Sequence, residues 1–213
     1  QGTLKARVRF DPTASIETGW IEFYQEDSVC GEKNNYRATT QVMGYAPAPQ
    51  ISIVTVDATT GKNCIIWDAP ANLPDYIDKI YVYKEEGSTN NWVRQAEIAL
   101  SAGQWIDLAS DPAVRKNRYK ITYGTNFGAE SNKSTAHSST HLQMNVGLQG
   151  ANNLIWTKYE GGTIDSYRIL RGTTPDNMTV IATVPGTEYT YTDLNAPEGV
   201  YYALEYDNLY FEK

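Results

Sequence analysis

Histidine is almost missing from this chain, with 2 among 213 residues, and there are only 2 cysteines and 3 methionines. So few imidazoles and thiols leave little from which to build a metal centre or a nucleophile–base pair. Cys30 and Cys64 do not stand at metal-ligand spacing; they read as two separate thiols, with a single disulfide as the alternative, and they do not fix the redox compartment. Basic charge is also short, at 18 Lys and Arg against 25 Asp and Glu, a net charge of -7. Phosphate backbones are held by clustered Lys and Arg, so nucleic acid is not an expected partner. An anionic membrane surface is disfavoured for the same reason. No apolar run approaches the roughly 18 residues of a spanning helix, so no direct membrane insertion is expected. No Gly-x-Ser-x-Gly elbow, His-Glu-x-x-His helix, phosphate loop or dinucleotide fingerprint occurs. The chain is therefore expected to be no enzyme and to carry no cofactor.

What the sequence does hold is aromatic and β-branched. Apolar residues make up 41% and aromatics 12%, with 16 Tyr, enough to fill cores and to exclude intrinsic disorder. Such side chains suit a pleated, half-buried surface. No stretch sustains a helical period. Arg94–Leu100 is the least clear segment, because Ala96, Ile98 and Leu100 alternate while Ala99 blurs the pattern.

An internal repeat is the strongest signal. Asn63-Cys64-Ile65-Ile66-Trp67 is answered by Asn152-Asn153-Leu154-Ile155-Trp156. With a period of two, Ile65 and Trp67 share a face, as do Leu154 and Trp156. Ile77-Asp78 and Ile164-Asp165 each open a further strand, in which Ile80 and Val82, or Tyr167 and Ile169, point inward. Trp105-Ile106-Asp107-Leu108 matches Tyr191-Thr192-Asp193-Leu194, and Tyr119–Tyr123 matches Tyr202–Tyr206. The order and spacing are kept throughout. Turn residues fall between these strands, at Thr59–Lys62, Glu86–Ser88, Asn90-Asn91, Glu160–Gly162, Thr174–Asp176 and Pro185-Gly186. Short strands with turns every 8–12 residues or so read as sandwiches. The expected core is Trp67, Trp156, Tyr119, Tyr202, Ile80, Val82, Tyr167 and Ile169.

A Trp on the second strand, a Tyr-bearing third strand, an aromatic-x-Asp before a loop and Tyr-x-(Ile/Leu) on the sixth strand resemble fibronectin type III domains, which are immunoglobulin-like sandwiches. The wording of Ile53-Val54-Thr55-Val56-Asp57, Thr60-Gly61-Lys62-Asn63, His141-Leu142-Gln143 and Tyr167–Thr173 is similar to tandem modules of large surface or secreted proteins of the Bacteroidetes group. Related modules often carry Cys-Gly where this chain has Phe127-Gly128, so that loop lacks their disulfide. The resemblance implies an all-β chain with one module over 47–141 and a second over 142–213, the latter with its C-terminal strand cut short. The last strand of the first module is expected to run from Ser131 to Leu142. In the second, Val200–Glu205 is expected as the sixth strand, Asp207-Asn208 as a turn and Leu209–Glu212 as the start of the seventh.

Residues 1–46 are too few for a sandwich. Leu4, Ala6, Val8 and Phe10 alternate with Lys5, Arg7 and Arg9 as in a half-buried strand, and Trp20–Tyr24 and Tyr36–Val42 read as two more. Asp27–Lys33 resembles a hairpin near the end of a PKD or immunoglobulin-like module. This segment is read as the back half of a preceding domain, joined through the stiff Ala46-Pro47-Ala48-Pro49 linker. The whole is expected to be a piece of something longer.

Little else suggests chemistry. His137 and His141, four apart on a strand and so about 13 Å apart, are too distant to share a metal; they read as a polar edge-strand pair. Asp57, Asp107, Asp111 and Asp193 are loop carboxylates without a calcium-loop pattern, and Asp107 and Asp193 are expected to bond nearby backbone amides. Trp20, Trp92 and Trp105 are the aromatics left for a sugar-stacking platform, and Trp92, after Asn90-Asn91, is the one that faces a ligand. Asn132-Lys133-Ser134, Asn177-Met178-Thr179 and Asp27-Ser28-Val29 fit glycosylation triplets. The expected function is a non-catalytic spacer or adhesion-module segment of a larger extracellular or cell-surface protein. The alternative is an accessory carbohydrate-binding region of a secreted polysaccharide-degrading enzyme. Expected partners are other domains of the same polypeptide, and a surface protein or glycan.

Overall fold

A computed structural model describes residues 20–26, 33–39, 48–126 and 128–211. The expected strand at Leu4–Phe10, Cys30, Asp27-Ser28-Val29, Phe127 and the Ala46-Pro47 half of the linker lie outside those residues. The structure divides into two units, one ending at Pro47 and one beginning at Ala48. In the first unit, β1 (Trp20–Glu26) and β2 (Lys33–Thr39) form an antiparallel hairpin, with Trp20 opposite Thr39 and Glu26 opposite Lys33. The second unit is all β apart from two short 3-10 turns, and it contains two sandwiches.

In the first sandwich, β3 (Ile51–Val56), β4 (Asn63–Trp67) and β7 (Gln104–Asp107) make one sheet. The facing sheet holds β5 (Ile77–Glu85), β6 (Trp92–Ala99), β8 (Arg118–Thr125) and β9 (His137–Ser138) in the order β6-β5-β8-β9. The chain thus makes two strands of one sheet, two of the other, then returns for β7. The second sandwich repeats the path. Its sheets are β10 (Leu142–Val146), β11 (Asn152–Trp156) and β14 (Thr190–Asp193), and β12 (Gly162–Thr174), β13 (Asn177–Pro185) and β15 (Tyr201–Phe211), ordered β10-β11-β14 and β13-β12-β15. Both are fibronectin type III-like. The repetition extends to a bulge: register slips after Val82 between β5 and β6, and after Ile169 between β12 and β13. The extra residue in each case is on the partner strand, Gln95 or Ile181.

The inward faces pack as the alternation requires. Ile51, Val54, Ile65 and Trp67 meet Ile80, Val82, Tyr119 and Ile121, all buried. In the second sandwich Leu154 and Trp156 meet Tyr159, Ile164, Tyr167 and Ile169, with the Trp156 and Tyr167 rings edge to face at 5.5 Å. Tyr202 is only half-buried against that cluster. The ambiguous segment around Arg94–Leu100 is mostly β6, an edge strand whose outward side chains meet solvent.

Two strand ends depart from expectation. The closing strand of the first sandwich is not a run from Ser131 to Leu142 but the two residues of β9, because serine hydroxyls take over the ladder before it. Ser131 and Ser134 donate their N–H groups to the carbonyls of Tyr123 and Ile121, and their Oγ atoms accept the N–H of the same two residues at 2.9 Å. Such local side-chain bonds compete with a regular strand. Leu142 instead opens β10, opposite Trp156. Second, there is no turn at Asp207-Asn208. The sixth strand continues through them to Phe211, opposite Gly162. A continuous ladder along β12 outcompetes the turn preference of two residues.

Replacing Trp67 or Trp156 with Ala should cost about 3–5 kcal/mol each, since each fills the centre of its own core. Urea unfolding of the two variants checks this, and a midpoint close to that of the parent for either would show that its ring is not a core filler.

Candidate functional site: the buried networks and the junction between sandwiches

Each sandwich contains the same buried polar network. In the first, the Tyr119 hydroxyl donates to Asp107 Oδ2 at 2.7 Å and accepts from Asn63 Nδ2 at 3.0 Å. Lys84 Nζ donates to the same carboxylate oxygen at 2.7 Å. In the second, Tyr202 donates to Asp193 Oδ2 at 2.8 Å and accepts from Asn152 Nδ2 at 3.0 Å, and Arg171 Nη1 reaches Asp193 Oδ2 at 2.7 Å. The repeat supplies every member: Asn opens the second strand, Asp ends the fifth, Tyr begins the sixth. The cation closes the inward row of the third strand, a matched position at which Lys84 and Arg171 went unnoticed as partners of the aspartates. Both aspartates also accept a backbone amide two residues on, Ala109 and Asn195, with their second oxygen. Burial alone would raise the Asp193 carboxyl, but the Arg171 and Tyr202 hydrogen bonds outweigh it and hold the group below its usual range. Burial, and then the hydrogen bond to Asp107, pushes the Tyr119 phenol far up, so it remains a donor. Each aspartate faces a cation of its own sandwich, and among the described residues no group of three or more His, Cys, Asp or Glu converges as metal ligands would.

The second cluster lies where the two sandwiches meet, and the two histidines are its centre. They are not a pair on one strand: His137 lies on β9, the edge strand of its sheet, His141 lies in the link to β10, and both are buried. Tyr159 reaches across so that its oxygen accepts the Val54 N–H of β3 at 2.9 Å, while its ring meets Tyr206 edge to face. That phenol has one proton, and His137 Nδ1 lies 3.0 Å from its oxygen. The Val54 N–H and the His137 imidazole thus meet on one phenol oxygen. Burial pushes the His137 imidazole down to about 4, against the opposing pull of Glu160. His141 holds its own place by donating from Nδ1 to the Pro112 carbonyl at 2.8 Å. Its main chain and that of Thr157 bond each other's residues, His141 N–H to Thr157 Oγ1 and Thr157 N–H to the His141 carbonyl.

Arg118 locks the rim. It forks onto Glu160 of the second sandwich, Nε and Nη2 to the two carboxylate oxygens at 2.8 and 2.6 Å, and also pairs with Glu85 of its own sandwich. The Ser138 N–H donates to the Glu160 carbonyl at 3.1 Å. Gly161 follows at φ +100, and a Cβ there would lie 2.3 Å from the His137 ring. Only glycine satisfies both the backbone angle and that approach. Ile53, on the outward side of β3, packs against the second core. The turn reading of Glu160-Gly161-Gly162 concealed this junction; a Tyr-Glu pair directly before two glycines was the available signal.

The sequence-selected ligand aromatics are not brought together as a platform. Trp92 is half-buried on β6, with the Arg118 guanidinium 5.3 Å and the Lys120 ammonium 5.0 Å from its ring centre. Trp105 stands opposite Ile65 on the core side of its sheet. The Trp20 side chain lies outside the described residues. Cys64 is a buried free thiol, raised by burial.

No family model matches this chain, and no curated protein does. Solved structures share its general form. The FN1–FN3 domains of chicken CNTN1 align with 89% of this chain and 70% of their own at 14% identity and a TM-score of 0.36. The central fibronectin-III array of RIM-binding protein aligns with 76% of this chain and 58% of its own at 15% identity and a TM-score of 0.34. The chicken interferon gamma receptor alpha chain aligns with 75% and 90% at 10% identity and a TM-score of 0.29. At these scores the likeness adds nothing to the strand order and cores described above.

Two outcomes follow from the networks and the junction. Asp107→Ala strands the buried Lys84 ammonium and should cost about 3–5 kcal/mol, whereas Asp193→Ala leaves the more accessible Arg171 and should cost no more than about 3 kcal/mol; chemical unfolding orders the two. His137 is neutral when folded and protonates near 6.5 when unfolded. Its contribution is therefore complete above pH 6.5 and is lost as pH falls towards 4, by up to about 3 kcal/mol. Unfolding free energy measured across that window should fall more steeply for the parent than for His137→Gln, and parallel curves would refute the buried neutral imidazole.

Proposed function

We propose that this chain is a non-catalytic spacer or adhesion-module segment of a larger extracellular or cell-surface protein, of the kind seen in tandem modules of Bacteroidetes surface proteins. The sealed junction is the observation that carries the reading. A flexible pair of modules would leave a solvated hinge between them, with few groups crossing it. Here a phenol, two imidazoles, a bidentate arginine and an isoleucine are used to fasten one sandwich to the next. The two sandwiches then move as one body, which is the property a spacer needs and a substrate-closing hinge lacks. Buried tyrosines and a carboxylate satisfied by its own lysine are structural uses of polar groups, since no reactant reaches them. The carbohydrate-binding alternative depends on Trp92, and cations over its ring do not support it. Partners remain, in this reading, other domains of the same polypeptide and a surface ligand.

Residual dipolar couplings measured separately for the two sandwiches should fit one alignment tensor, as a single body requires. The pair Arg118→Ala and Glu160→Ala, with Gly161→Ala as the steric variant, should split the fit into two tensors while each sandwich keeps its own amide spectrum. Two unrelated tensors in the parent protein would remove the spacer reading.

A further inference from the structure

We propose that the second sandwich self-associates: β13 of one copy of the chain pairs, antiparallel, with β13 of a second copy, centred on Thr179. This goes beyond the spacer reading and does not depend on it.

The path of the chain makes β13 an outermost strand. It follows β12 and leads into β14, and β6 holds the same outermost place in the first sandwich, so this open edge belongs to the plan of both. Among the described residues nothing pairs with the outer side of either strand. An open edge is a template for pairing, and charged side chains on it blunt that tendency. β6 is blunted. The Arg94 guanidinium lies 3.7 Å from the Tyr81 ring centre and pairs with Glu97, and both partners are exposed. β13 is not blunted, because no residue from Asn177 to Pro185 carries a charge. Each strand has the same bulge, at Gln95 or Ile181, so the bulge does not separate them.

The outward face behind the edge differs in the same direction. In the first sheet Trp92, Glu85 and Arg118 form one outward row, and Arg94, Tyr83 and Lys120 form the next. The corresponding rows of the second sheet are Met178, Gly172 and Tyr201, then Val180, Leu170 and Ala203. Positions that hold three cations and a carboxylate in one sandwich hold no charge in the other. Val180 is 49% exposed and Met178 is half-buried, so apolar surface reaches the open edge.

Charge selects the occupant. A partner strand chosen for its charge finds nothing on β13 to recognise, whereas the strand suits itself. Two copies related by a two-fold axis at Thr179 set Thr179 across from Thr179 and Met178 across from Val180, within the regular stretch before the bulge. Threonine pairs and apolar pairs are both favourable directly across a ladder, and no like charges meet there. The nearest charge along the chain, Asp176, precedes the strand, so the two copies of it stand at opposite ends of the paired stretch. A two-fold contact of this kind closes on itself and stops at a dimer.

The test is sedimentation equilibrium of the whole chain over rising concentration. A reversible monomer–dimer equilibrium is expected. The paired stretch is short, so the Kd should be on the order of 10⁻⁴ M. Val180→Lys and Met178→Glu should each weaken the dimer about tenfold, through the two cross-strand pairs that each removes. The two variants mixed in equal amounts should associate more tightly than either alone, because the new ammonium of one copy then stands across from the new carboxylate of the other. Both side chains lie on the outward face, and an unchanged unfolding midpoint shows that the variants fold. A chain that is monomeric well above that concentration, a dimer indifferent to both substitutions, a mixture no tighter than either variant, or assembly that continues past the dimer would each overturn the proposal.

Discussion

A carboxylate buried as deeply as Asp107 is a liability unless its charge is answered within hydrogen-bond distance. Removing such an ion from water costs several kcal/mol even after the protein relaxes. Asp107 meets that cost with a lysine ammonium and a phenol on one oxygen and a backbone amide on the other. The consequence is positional. The end of β7, the start of β8, the end of β5 and the start of β4 must all converge on one point. Those four strands come from both sheets, so the network fixes how the sheets are set against each other, and the apolar rows between them fill what is left.

The second sandwich reproduces the arrangement with arginine for lysine. Arginine is longer and less strongly hydrated, and it reaches the carboxylate from a more open position, bonding the Asn195 carbonyl as well. The looser packing of β15 and β10 accompanies that difference. An Asn, an Asp, a Tyr and a cation therefore hold both sandwiches in the same plan.

Between them, the junction uses a different device. The sandwiches are not linked by a spacer peptide but share hydrogen bonds: Tyr159 inserts a phenol oxygen where β3 has a spare amide, and His137 hydrogen-bonds the same oxygen. Gly161 lets the chain pass over the imidazole face. Arg118 serves both sides, holding Glu85 within its own sheet and Glu160 beyond it. Several of these bonds, from Tyr159 to Val54 and His137 and from Arg118 to Glu160, form only when the two sandwiches are docked, so undocking breaks them together.

The Asn–Trp strings, the aromatic-Asp-Leu turns and the period-two alternation were enough to set the strands, their order and the inward rows, because these patterns are local and twice repeated. Val82 and Ile169 face inward for no reason beyond alternation and burial. The partners of Asp107 and Asp193 were not legible: Lys84 and Arg171 lie 23 and 22 residues away in sequence, and a cation at the end of a strand looks like any solvated side chain until the sheets close on it. The burial of His137 and His141 was likewise decided in three dimensions, since β9 is only two residues long, His141 lies outside it, and so short a segment carries no record of which neighbour will cover it. So was the failure of Asp207-Asn208 to turn, where pairing along β12 outweighed a local preference. Local pattern determines which face of a strand is apolar; only the tertiary structure decides what lies against it, because burial and pairing are properties of two segments and neither segment encodes the other.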